Sequence, residues 1–400
     1  MVKNKLNILR IVYDWYEEGV NTQGLAPAPY NLSVAQAKLG HKIFVFCGNL
    51  TGKAVINKRF FYTLEQGRIV VYNLPRALFK FGPFLTTSIF VPFYYFYLKI
   101  TKKLDLVHNH GHLGVYFLLY KFLFGWVDKT PVLGHFHITA KGREQALVNQ
   151  GTKLDFFTKY FEYPIHKLSD YLSKYVCNEV VVVSKDLKNE LVNLYGFNPS
   201  KIKILESAVD TFYFKKDGPK VNLGFNKNSK IILNVGRLSK RKNIHLIVES
   251  LKYLPSNYKL VLIGSWESDS YKTKVESIIK HNHLQKRIKY LGSIPNSKIS
   301  AYFRSCDFFV LPSSYEGLPK VVLEALSSGL KVVASGFSMQ HNVSNIYYIK
   351  NLNSKNIANT LLKIDKLPNR YKSTFKIIDK YYSWNSKAQE LNSIYAKILK

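Results

Sequence analysis

The chain has 400 residues, 46% of them hydrophobic, and a formal net charge of +32, so it is apolar enough and long enough for two domains, which excludes an intrinsically disordered chain. Its three cysteines are far apart and lack the spacing of a metal site, and basic residues interrupt the apolar start of the chain, so we expect a cytoplasmic protein with reduced thiols. The charge predicts attraction to nucleic acid, anionic lipid or phosphorylated small molecules without choosing among them.

Short β-rich runs alternate with helical patterns in the first half of the chain. The predicted strands are 6–13, 42–47, 69–74, 105–108, 131–136 and 179–184. Because such alternation gives a parallel sheet with helices on both faces, we predict a doubly wound, Rossmann-like domain over residues 1–215.

Residues 81–98, FGPFLTTSIFVPFYYFYL, carry no charge, and eight of them are Phe or Tyr. A membrane span is disfavoured because the strands predicted on either side should lie in one sheet, and because Pro83 and Pro92 interrupt the segment. Two interpretations remain, a buried helix or an interfacial helix whose aromatic rings enter the headgroup region. We favour peripheral membrane docking, with anionic lipid contacted by Lys80, Lys99, Lys102 and Lys103.

The alternation begins again in the second half of the chain. The predicted strands are 230–235, 258–263, 307–311 and 330–334, and the predicted helices are 239–253, 270–284, 296–304 and 319–328. We therefore predict an α/β fold of two doubly wound domains facing a central cleft. The second domain covers 216–375, and a C-terminal helix within 376–400 is expected to pack back toward the first domain.

Two constellations follow strands of the second domain. After strand 307–311 comes Glu316-Gly-Leu-Pro-Lys-Val-Val-Leu-Glu324, with Pro319 predicted as the first residue of a helix whose N-terminus could bind phosphate. Ionised carboxylates accept two hydroxyl donors, so the glutamates suit the vicinal diols of a sugar. The alternative is a solvated Glu316 and an exposed Glu324 that pairs with Lys320 at i, i+4.

The second constellation is Gly236-Arg-Leu-Ser-Lys-Arg-Lys242, which follows strand 230–235 and opens a helix that we expect Ser239 to cap. Cations at a helix start oppose the helix dipole unless an anion arrives, and a diphosphate would supply that anion. The alternative is a solvated basic face.

These residues resemble the nucleotide-sugar half of glycosyltransferase family 4, retaining enzymes of the GT-B fold. The resemblance is carried by "NVGRLSKRKNIHLIVESL" and "IKYLGSIPNSKISAYFRSCDFFVLPSSYEGLPKVVLEALSSGLKVVAS", including the Glu-x7-Glu spacing. The amino half is collinear with the family through "LDLVHNHGH" and "PVLGHFH". The resemblance implies transfer of a hexose-type sugar from a UDP- or GDP-type nucleotide sugar, with no metal or other cofactor. Membrane docking through residues 81–98 would add a glycan or lipid-linked acceptor at the cytoplasmic membrane face.

The resemblance also assigns site residues. It places Gly236, Arg237 and Lys242 at the donor diphosphate and Glu324 at the ribose hydroxyls. Glu316 would lie near the donor sugar, and the backbone after it would contact the sugar or phosphate. That backbone segment and the residue expected near the base are Gly317, Leu318, Pro319 and Ile294.

In the amino half, His137 matches the family's active-site histidine, and Gly24 matches the glycine loop that approaches the donor phosphates. We expect His135 to point to the opposite side of its strand and rank it below His137. The remaining histidines of this region are His108, His110 and His112. The sequence shows no carboxylate or cysteine that would complete a metal site with them, so we interpret them as loop or supporting residues.

The sequence departs from the family pattern at three places. One glycine, Gly24, stands where two adjacent glycines are usual, "ESAVD" replaces the usual "NGVD" at 206–210, and 336–345 lack the usual Gly-Gly turn and glutamate, so we assign that last segment no role. Two other functions stay open: a nucleic-acid-binding or nucleic-acid-modifying protein, which no binding motif supports, and a catalytically silent scaffold. The sequence does not indicate the oligomeric state.

Overall fold

The computed structural model describes residues 5–13, 15–16, 27–48, 61–74, 83–149, 156 and 158–400. The chain forms two units, the first from Met1–Glu206 with Lys387–Lys400 and the second from Ser207–Ser386. Each unit has its own sheet with helices packed against it.

Unit 1 contains an eight-stranded sheet with strand order β3-β4-β2-β1-β5-β6-β7-β8. Its strands are β1 Asn7–Val12, β2 Lys42–Cys47, β3 Phe61–Leu64, β4 Ile69–Asn73, β5 Leu106–His110, β6 Val132–Phe136, β7 Glu179–Val182 and β8 Ile202–Ile204. The predicted parallel sheet is confirmed, but β3 pairs antiparallel with β4, and the sequence analysis missed both edge strands, β3 and β8.

The helices of unit 1 are α1 Pro27–Lys38, α2 Pro83–Lys102, α3 Val115–Phe124, α4 Ala140–Asn149, α5 Tyr163–Val176 and α6 Lys185–Tyr195. Local chemistry sets their ends where the caps are visible. The hydroxyl of Ser184 accepts from Leu187 N at the start of α6, and Gly196, at φ +66°, ends it in the left-handed conformation that glycine tolerates.

Helix α2 contains most of the aromatic segment predicted at 81–98. Val91, Tyr95 and Leu98 are buried against the core, whereas Phe93 and Tyr97 are exposed, so the helix is neither wholly buried nor wholly free. Among the described residues, no helix has the length and apolar character needed to cross a membrane.

Unit 2 contains a parallel six-stranded sheet with strand order β11-β10-β9-β12-β13-β14. Its strands are β9 Lys230–Val235, β10 Tyr258–Ile263, β11 Ile288–Tyr290, β12 Phe308–Pro312, β13 Lys331–Ser335 and β14 Ile346–Tyr348. All four predicted strands are present, and the two short edge strands were missed. Because β9 and β12 are neighbours at the centre of the sheet, the loops after their carboxyl ends lie side by side.

The helices of unit 2 are α7 Ile244–Ser250, α8 Asp269–His281, α9 Asn296–Arg304, α10 Lys320–Ser327, α11 Ser354–Asp365 and α12 Tyr371–Tyr382; the last helix, α13 Trp384–Ile398, runs on into unit 1. Two predicted helix starts were wrong. Pro319 precedes α10 in an extended conformation instead of opening it. Ser239 precedes a 3-10 turn, Lys240–Lys242, and its side chain makes no capping bond; α7 begins only after Asn243.

Candidate active site

The first cluster of site residues lies where β9 ends. Gly236 has φ +126°, and a Cβ at this position would lie 2.5 Å from Lys242 Nζ, so the lysine side chain folds back over the glycine backbone. A residue with a side chain would displace the ammonium group, so the position of Lys242 depends on glycine at 236. The predicted neighbours Gly236 and Lys242 are thus brought together.

The loop after β9 is tied to the loop after β12. Asn243, at φ +50°, donates its side-chain amide to Pro312 O at 2.9 Å and to Ser314 Oγ at 3.0 Å, and Ser314 N donates to Arg241 O at 2.9 Å. These bonds fix the 3-10 turn Lys240–Lys242, which we name the cationic turn, against the segment that carries Glu316. The sequence analysis did not identify Asn243.

Glu316 is held by an arginine that the sequence analysis left without a role. Arg241 Nη1 lies 2.8 Å from Glu316 Oε1, the same oxygen accepts from Ser313 Oγ at 3.1 Å, and Glu316 N donates to Gly336 O at 2.8 Å. The alternative of a freely solvated loop acid is therefore wrong. Gly336, in the segment to which we assigned no role, supports this loop through its carbonyl.

Lys242 is the half-buried member of the cationic turn. Burial lowers the pKa of its ammonium group, Glu316 partly opposes this, and Arg241 adds to the lowering. Arg237 is exposed at the same strand end. A bound anion would offset the cost of burying the ammonium charge of Lys242. This strand end is therefore suited to binding a phosphate group.

Glu324 lies inside α10 and is only 7% exposed. Burial raises the pKa of its carboxyl group, and Lys320, whose Nζ lies 3.6 Å from Glu324 Oε1, opposes the shift. The i, i+4 pair of the alternative interpretation is present, but the acid is buried rather than exposed. Of the remaining predicted residues, Leu318 is buried, Ile294 packs against the core and Gly317 is exposed. Gly24 lies outside the described residues.

The second cluster is in unit 1 and consists of four imidazoles, which we name the histidine layer: His108 and His110 on β5, and His135 and His137 at the end of β6. His110 is paired in register with His135, and the rings of His135 and His137 stack 4.4 Å apart. The expectation that His135 points away from His137 was wrong. Residues i and i+2 of a strand share a face, and the stacking follows from that geometry.

In the histidine layer, His108, His110 and His135 are buried and His137 is half-buried, and the lowered pKa values leave all four imidazoles uncharged at neutral pH. Burial lowers the pKa of His137 to about 4. Burial also lowers the pKa values of the other three imidazoles, and the guanidinium of Arg10 and the neighbouring histidines add to that effect. Neutral imidazoles hydrogen-bond as donor and acceptor at once, which suits hydroxyl groups.

Next to the histidine layer, a 3-10 turn after β5 carries His112. Its Nε2 lies 2.8 Å from Asp170 Oδ1, and its ring stacks on His166 at 4.5 Å. A cavity of about 290 Å³ opens here, lined by His110, His112, His137, Arg143, Glu162 and His166.

Three rings of the histidine layer lie close enough to one another to be considered as metal ligands. Ring nitrogens of His108, His110 and His135 lie within 4.8 Å of one another. Their ring planes, however, differ by only 11° to 32°, so the lone pairs, which lie in those planes, do not converge on one point. The Arg10 guanidinium at 3.4 Å from His108 Nδ1 would also repel a cation. This geometry favours hydrogen bonding over metal coordination.

Comparison with known families gives matches over most of the chain. The model described as Glycosyltransferase Family 4 matches residues 23–212, and the model described as Glycosyl transferases group 1 matches residues 216–378. The two ranges are consecutive and fall in the amino and carboxyl halves that the sequence resemblance had assigned.

Curated relatives carry glycosyltransferase names. An uncharacterized glycosyltransferase of Methanocaldococcus jannaschii is 26% identical over 286 residues, 67% of this chain and 70% of the relative. The N-acetylgalactosamine-N,N'-diacetylbacillosaminyl-diphospho-undecaprenol 4-alpha-N-acetylgalactosaminyltransferase of Campylobacter jejuni is 29% identical over 48% of this chain and 53% of the relative. The UDP-Gal:alpha-D-GlcNAc-diphosphoundecaprenol alpha-1,3-galactosyltransferase of Escherichia coli is 29% identical over 59% of each.

Solved structures share the fold at low identity. Sucrose-phosphate synthase from Thermosynechococcus elongatus superposes with a TM-score of 0.72 at 18% identity and covers 98% of each chain. Anabaena HepE in complex with UDP and glucose gives a TM-score of 0.66 at 16% identity, covering 98% of this chain and all of that one. At such identity the likeness concerns the fold alone.

Proposed function

This chain belongs to glycosyltransferase family 4 and has the GT-B fold, and from that premise we propose that it moves a hexose-type sugar from a UDP- or GDP-type nucleotide sugar to a glycan or lipid-linked acceptor. We further propose that the anomeric configuration is retained and that no metal ion is needed. The observation that carries the proposal is the meeting of Gly236, Lys242, Arg241 and Glu316 at two adjacent strand ends of unit 2.

In this proposal the strand ends of unit 2 bind the donor diphosphate. Lys242 and Arg237 offset the negative charge that grows on the leaving phosphate as the bond from sugar C1 to the phosphate oxygen breaks. The acceptor hydroxyl forms the new bond to C1 from the same face, and its proton passes to the departing phosphate oxygen. Fixed cations supply the stabilisation that a metal ion gives elsewhere, because bonds between the loops after β9 and β12 already hold the cationic turn in place.

Two carboxylates would then recognise hydroxyl groups. Glu324, buried in α10, accepts from the ribose, and Glu316, oriented by Arg241 and Ser313, accepts from the donor sugar. In unit 1 we assign His137 to hydrogen bonding with sugar hydroxyls, which its neutral imidazole permits. We propose further contacts with the nucleotide-sugar donor from Gly24, Gly317, Leu318, Pro319 and Ile294.

A thermal-shift panel of UDP, GDP, ADP and CMP, run with EDTA and beside a duplex DNA control, tests the donor. A nucleotide at ~100 times its dissociation constant adds about 2.7 kcal/mol to the free energy of unfolding, which raises the transition by a few degrees. We expect the rise with UDP or GDP. A response to DNA and to no nucleotide would favour the nucleic-acid alternative instead.

For the acceptor, the names of two relatives support a lipid diphosphate, since both specify diphospho-undecaprenol substrates. Unit 1 has a surface whose composition is consistent with docking on a lipid bilayer. On α2 and after α3, exposed aromatic residues form what we name the aromatic surface: Phe93, Phe96, Tyr97, Phe122, Phe124 and Trp126.

Ring contacts join part of the aromatic surface across the two helices. The ring of Phe96 on α2 lies 4.8 Å from that of Tyr120 on α3, and Tyr120 lies 5.7 Å from Phe124. Trp126 is 74% exposed just beyond the end of α3. Lys102, Lys103 and Lys129 supply exposed cations on or near the same elements, whereas Lys99 is paired with the carboxylate of Asp128 and Lys80 lies outside the described residues. Exposed aromatic rings beside lysines suit the headgroup region of an anionic bilayer, so we propose peripheral docking of unit 1 at the cytoplasmic face.

Co-sedimentation with anionic and zwitterionic liposomes at ~0.1 M salt tests this docking. Phe93→Ser and Trp126→Ser should each weaken binding to anionic liposomes by about tenfold, because each removes a large aromatic group from the buried contact. Phe212→Ser is the matched control, since Phe212 is 82% exposed and belongs to unit 2. Equal loss in all three variants, or no binding by the unmodified protein, would contradict the proposal.

A further inference from the structure

Arg10 is a charged residue in the middle of the apolar strand β1, and its side chain is fully buried. Its guanidinium donates to Pro29 O at 2.9 Å, to Ser33 Oγ and to Gln36 Oε1, and lies 3.4 Å from His108 Nδ1. No carboxylate of the described residues forms an ion pair with it. A buried cation held only by neutral acceptors is costly, which indicates a role beyond packing.

The same group of residues includes the end of the chain. Tyr395, on α13, is fully buried in unit 1, and its hydroxyl lies 2.7 Å from His108 Nδ1 and accepts from Gln36 Nε2 at 3.2 Å. His108 Nε2 in turn lies 3.2 Å from His135 Nδ1. A hydrogen-bonded chain therefore runs from Gln36 through Tyr395 and His108 to His135.

Arg10 fixes the direction of this chain because a guanidinium only donates hydrogen bonds. Both Arg10 and Tyr395 approach His108 Nδ1, so that nitrogen is the acceptor and the proton of neutral His108 lies on Nε2. His108 then donates to His135 Nδ1, which places the proton of neutral His135 on Nε2. His135 Nε2 is buried and has no hydrogen-bond partner among the described residues, so the chain ends in an open donor.

We infer that Arg10, Gln36, Tyr395 and His108 form a positioning array that presents His135 as an uncharged Nε2–H donor and supports the ring of His137 in the orientation used to bind a sugar hydroxyl. The inference rests on the proposed function for its last step. His135 and His137 stack at 4.4 Å with an angle of 16° between their planes, so a fixed His135 limits rotation of His137.

The charges around the array support this assignment. β1 contributes Arg10, β5 contributes His108 and His110, β6 contributes His135 and His137, α1 contributes Ser33 and Gln36, and α13 contributes Tyr395. Arg10 is the one permanent charge in this set, so an extra proton on any of the imidazoles is repelled. The nearby carboxylate Asp170 is already paired with His112, and Arg143 and Glu162 line the cavity beyond.

The first measurement is the tautomeric state of the histidines in the full chain, labelled with ¹⁵N-histidine and observed through long-range ¹H–¹⁵N correlations. His108→Gln and His135→Gln assign the signals. At pH 7 we expect both rings neutral with the proton on Nε2. A proton on His135 Nδ1, or on both of its nitrogens, overturns the inference.

The second measurement uses Tyr395→Phe, which removes the 2.7 Å contact to His108 Nδ1. The minor tautomer of His108 and His135 should increase by roughly fivefold, as expected for loss of one neutral hydrogen bond, and kcat should fall with the donor KM unchanged. Tyr382→Phe is the control, because Tyr382 is also fully buried and its hydroxyl accepts from His341 N at 3.2 Å in unit 2. Unchanged tautomers, or a kcat equal to that of the unmodified protein, overturn the positioning role.

Should Tyr395→Phe fail to fold, Arg10→Met provides the same test through charge. Loss of the guanidinium charge should shift the protonation of His108 and His135 to higher pH in the same spectra. Titration curves that do not shift would overturn the inference. The tautomer and titration measurements need no donor, so they stand even where the proposed glycosyl transfer fails. Correct tautomers in a protein that turns over no nucleotide sugar would refute the proposed function and leave the array intact.

Discussion

The two units place their candidate site residues at equivalent positions of the sheet but differ in the charge of those residues. Both place their candidate site residues where parallel strands end, β5 and β6 in unit 1 and β9 and β12 in unit 2. In unit 1 the residues are buried or half-buried imidazoles whose pKa values are lowered, so they are neutral. In unit 2 they are cations and carboxylates, of which Arg237 is exposed and Arg241 is half exposed and paired with Glu316. One site offers hydrogen bonds without charge, and the other offers charge.

This difference indicates which part of a substrate each unit suits. A diphosphate needs fixed cations, and the turn after β9 gathers Arg237, Arg241 and Lys242 with Glu316 as their near carboxylate. Sugar hydroxyls need partners that both donate and accept, and imidazolium ions would only donate. On the proposed function, the neutral imidazole of His137 suits a sugar hydroxyl, and the half-buried ammonium group of Lys242 suits a diphosphate.

The largest expected effect is on the charged side. Lys242→Met should lower turnover by about 100-fold, because it removes a cation from the developing phosphate charge. The folded protein should keep its thermal stability without nucleotide, because burial already lowers the pKa of Lys242 and its charge is poorly solvated there. Steady-state kinetics and calorimetry measure the two quantities.

The matched control is Lys240→Met, which removes an exposed lysine from the same turn, where its backbone N donates to Glu267 Oε2 at 3.1 Å. It should lose less than threefold in turnover, since an exposed charge in water is strongly screened. If both variants lose activity equally, net positive charge rather than the position of Lys242 carries the effect.

The neutral side should respond to pH through stability. His137 has a folded pKa of about 4 and His166 a folded pKa of about 2, both lowered chiefly by burial, against about 6.5 in an unfolded chain. Between these values the unfolded chain binds more protons, so the stabilisation is complete above about pH 6.5 and is lost as pH falls below it. The unfolding free energy, from urea titrations at pH 7, 6 and 5, should fall accordingly.

His166→Phe isolates one of these groups. It should reduce the slope below pH 6 by about 1.4 kcal/mol per pH unit, the value for one proton, while the ring still stacks on His112. His281→Gln, which removes an exposed histidine from α8, controls for loss of a histidine elsewhere. A slope that does not change in His166→Phe would mean that the imidazole is charged in the folded protein.

Sequence periodicity predicted the fold well because long buried strands carry strong patterns. The four strands missed, β3, β8, β11 and β14, are sheet edges of three or four residues, too short for a pattern to show. The predicted direction of His135 was wrong, because the strand period of two places the side chains of His135 and His137 on the same face. Arg10 gave a readable signal, since a cation inside an apolar strand predicts a buried polar contact.

Other contacts of the candidate sites had no readable signal. Tyr395 reaches His108 across 287 residues of sequence, and only the packing of α13 in unit 1 brings them together. The choice of Arg241 rather than Arg237 as the partner of Glu316 depends on the loop bonds made by Asn243 and Ser314. Periodicity identifies the face of an element, whereas these contacts depend on three-dimensional packing between distant segments.

The smallest expected effect concerns the ion pair that joins the two loops of unit 2. Arg241 is half exposed, and an exposed ion pair contributes only about 0–1 kcal/mol, so Arg241→Gln should change stability by less than about 1 kcal/mol. Its effect on catalysis should be a loss of about threefold to tenfold in kcat, because Glu316 keeps the Ser313 hydrogen bond but loses the contact that sets its orientation.

Glu316→Gln completes this test because glutamine keeps the shape of the side chain without its charge. If Arg241 acts only by orienting Glu316, the double variant Arg241→Gln/Glu316→Gln should have nearly the same kcat as Glu316→Gln alone. In that case the substitution of Glu316 already removes the contribution that Arg241 makes. If the two losses add, Arg241 acts on the donor phosphate independently of Glu316. The charged side of the comparison would then contain three phosphate-binding cations instead of two.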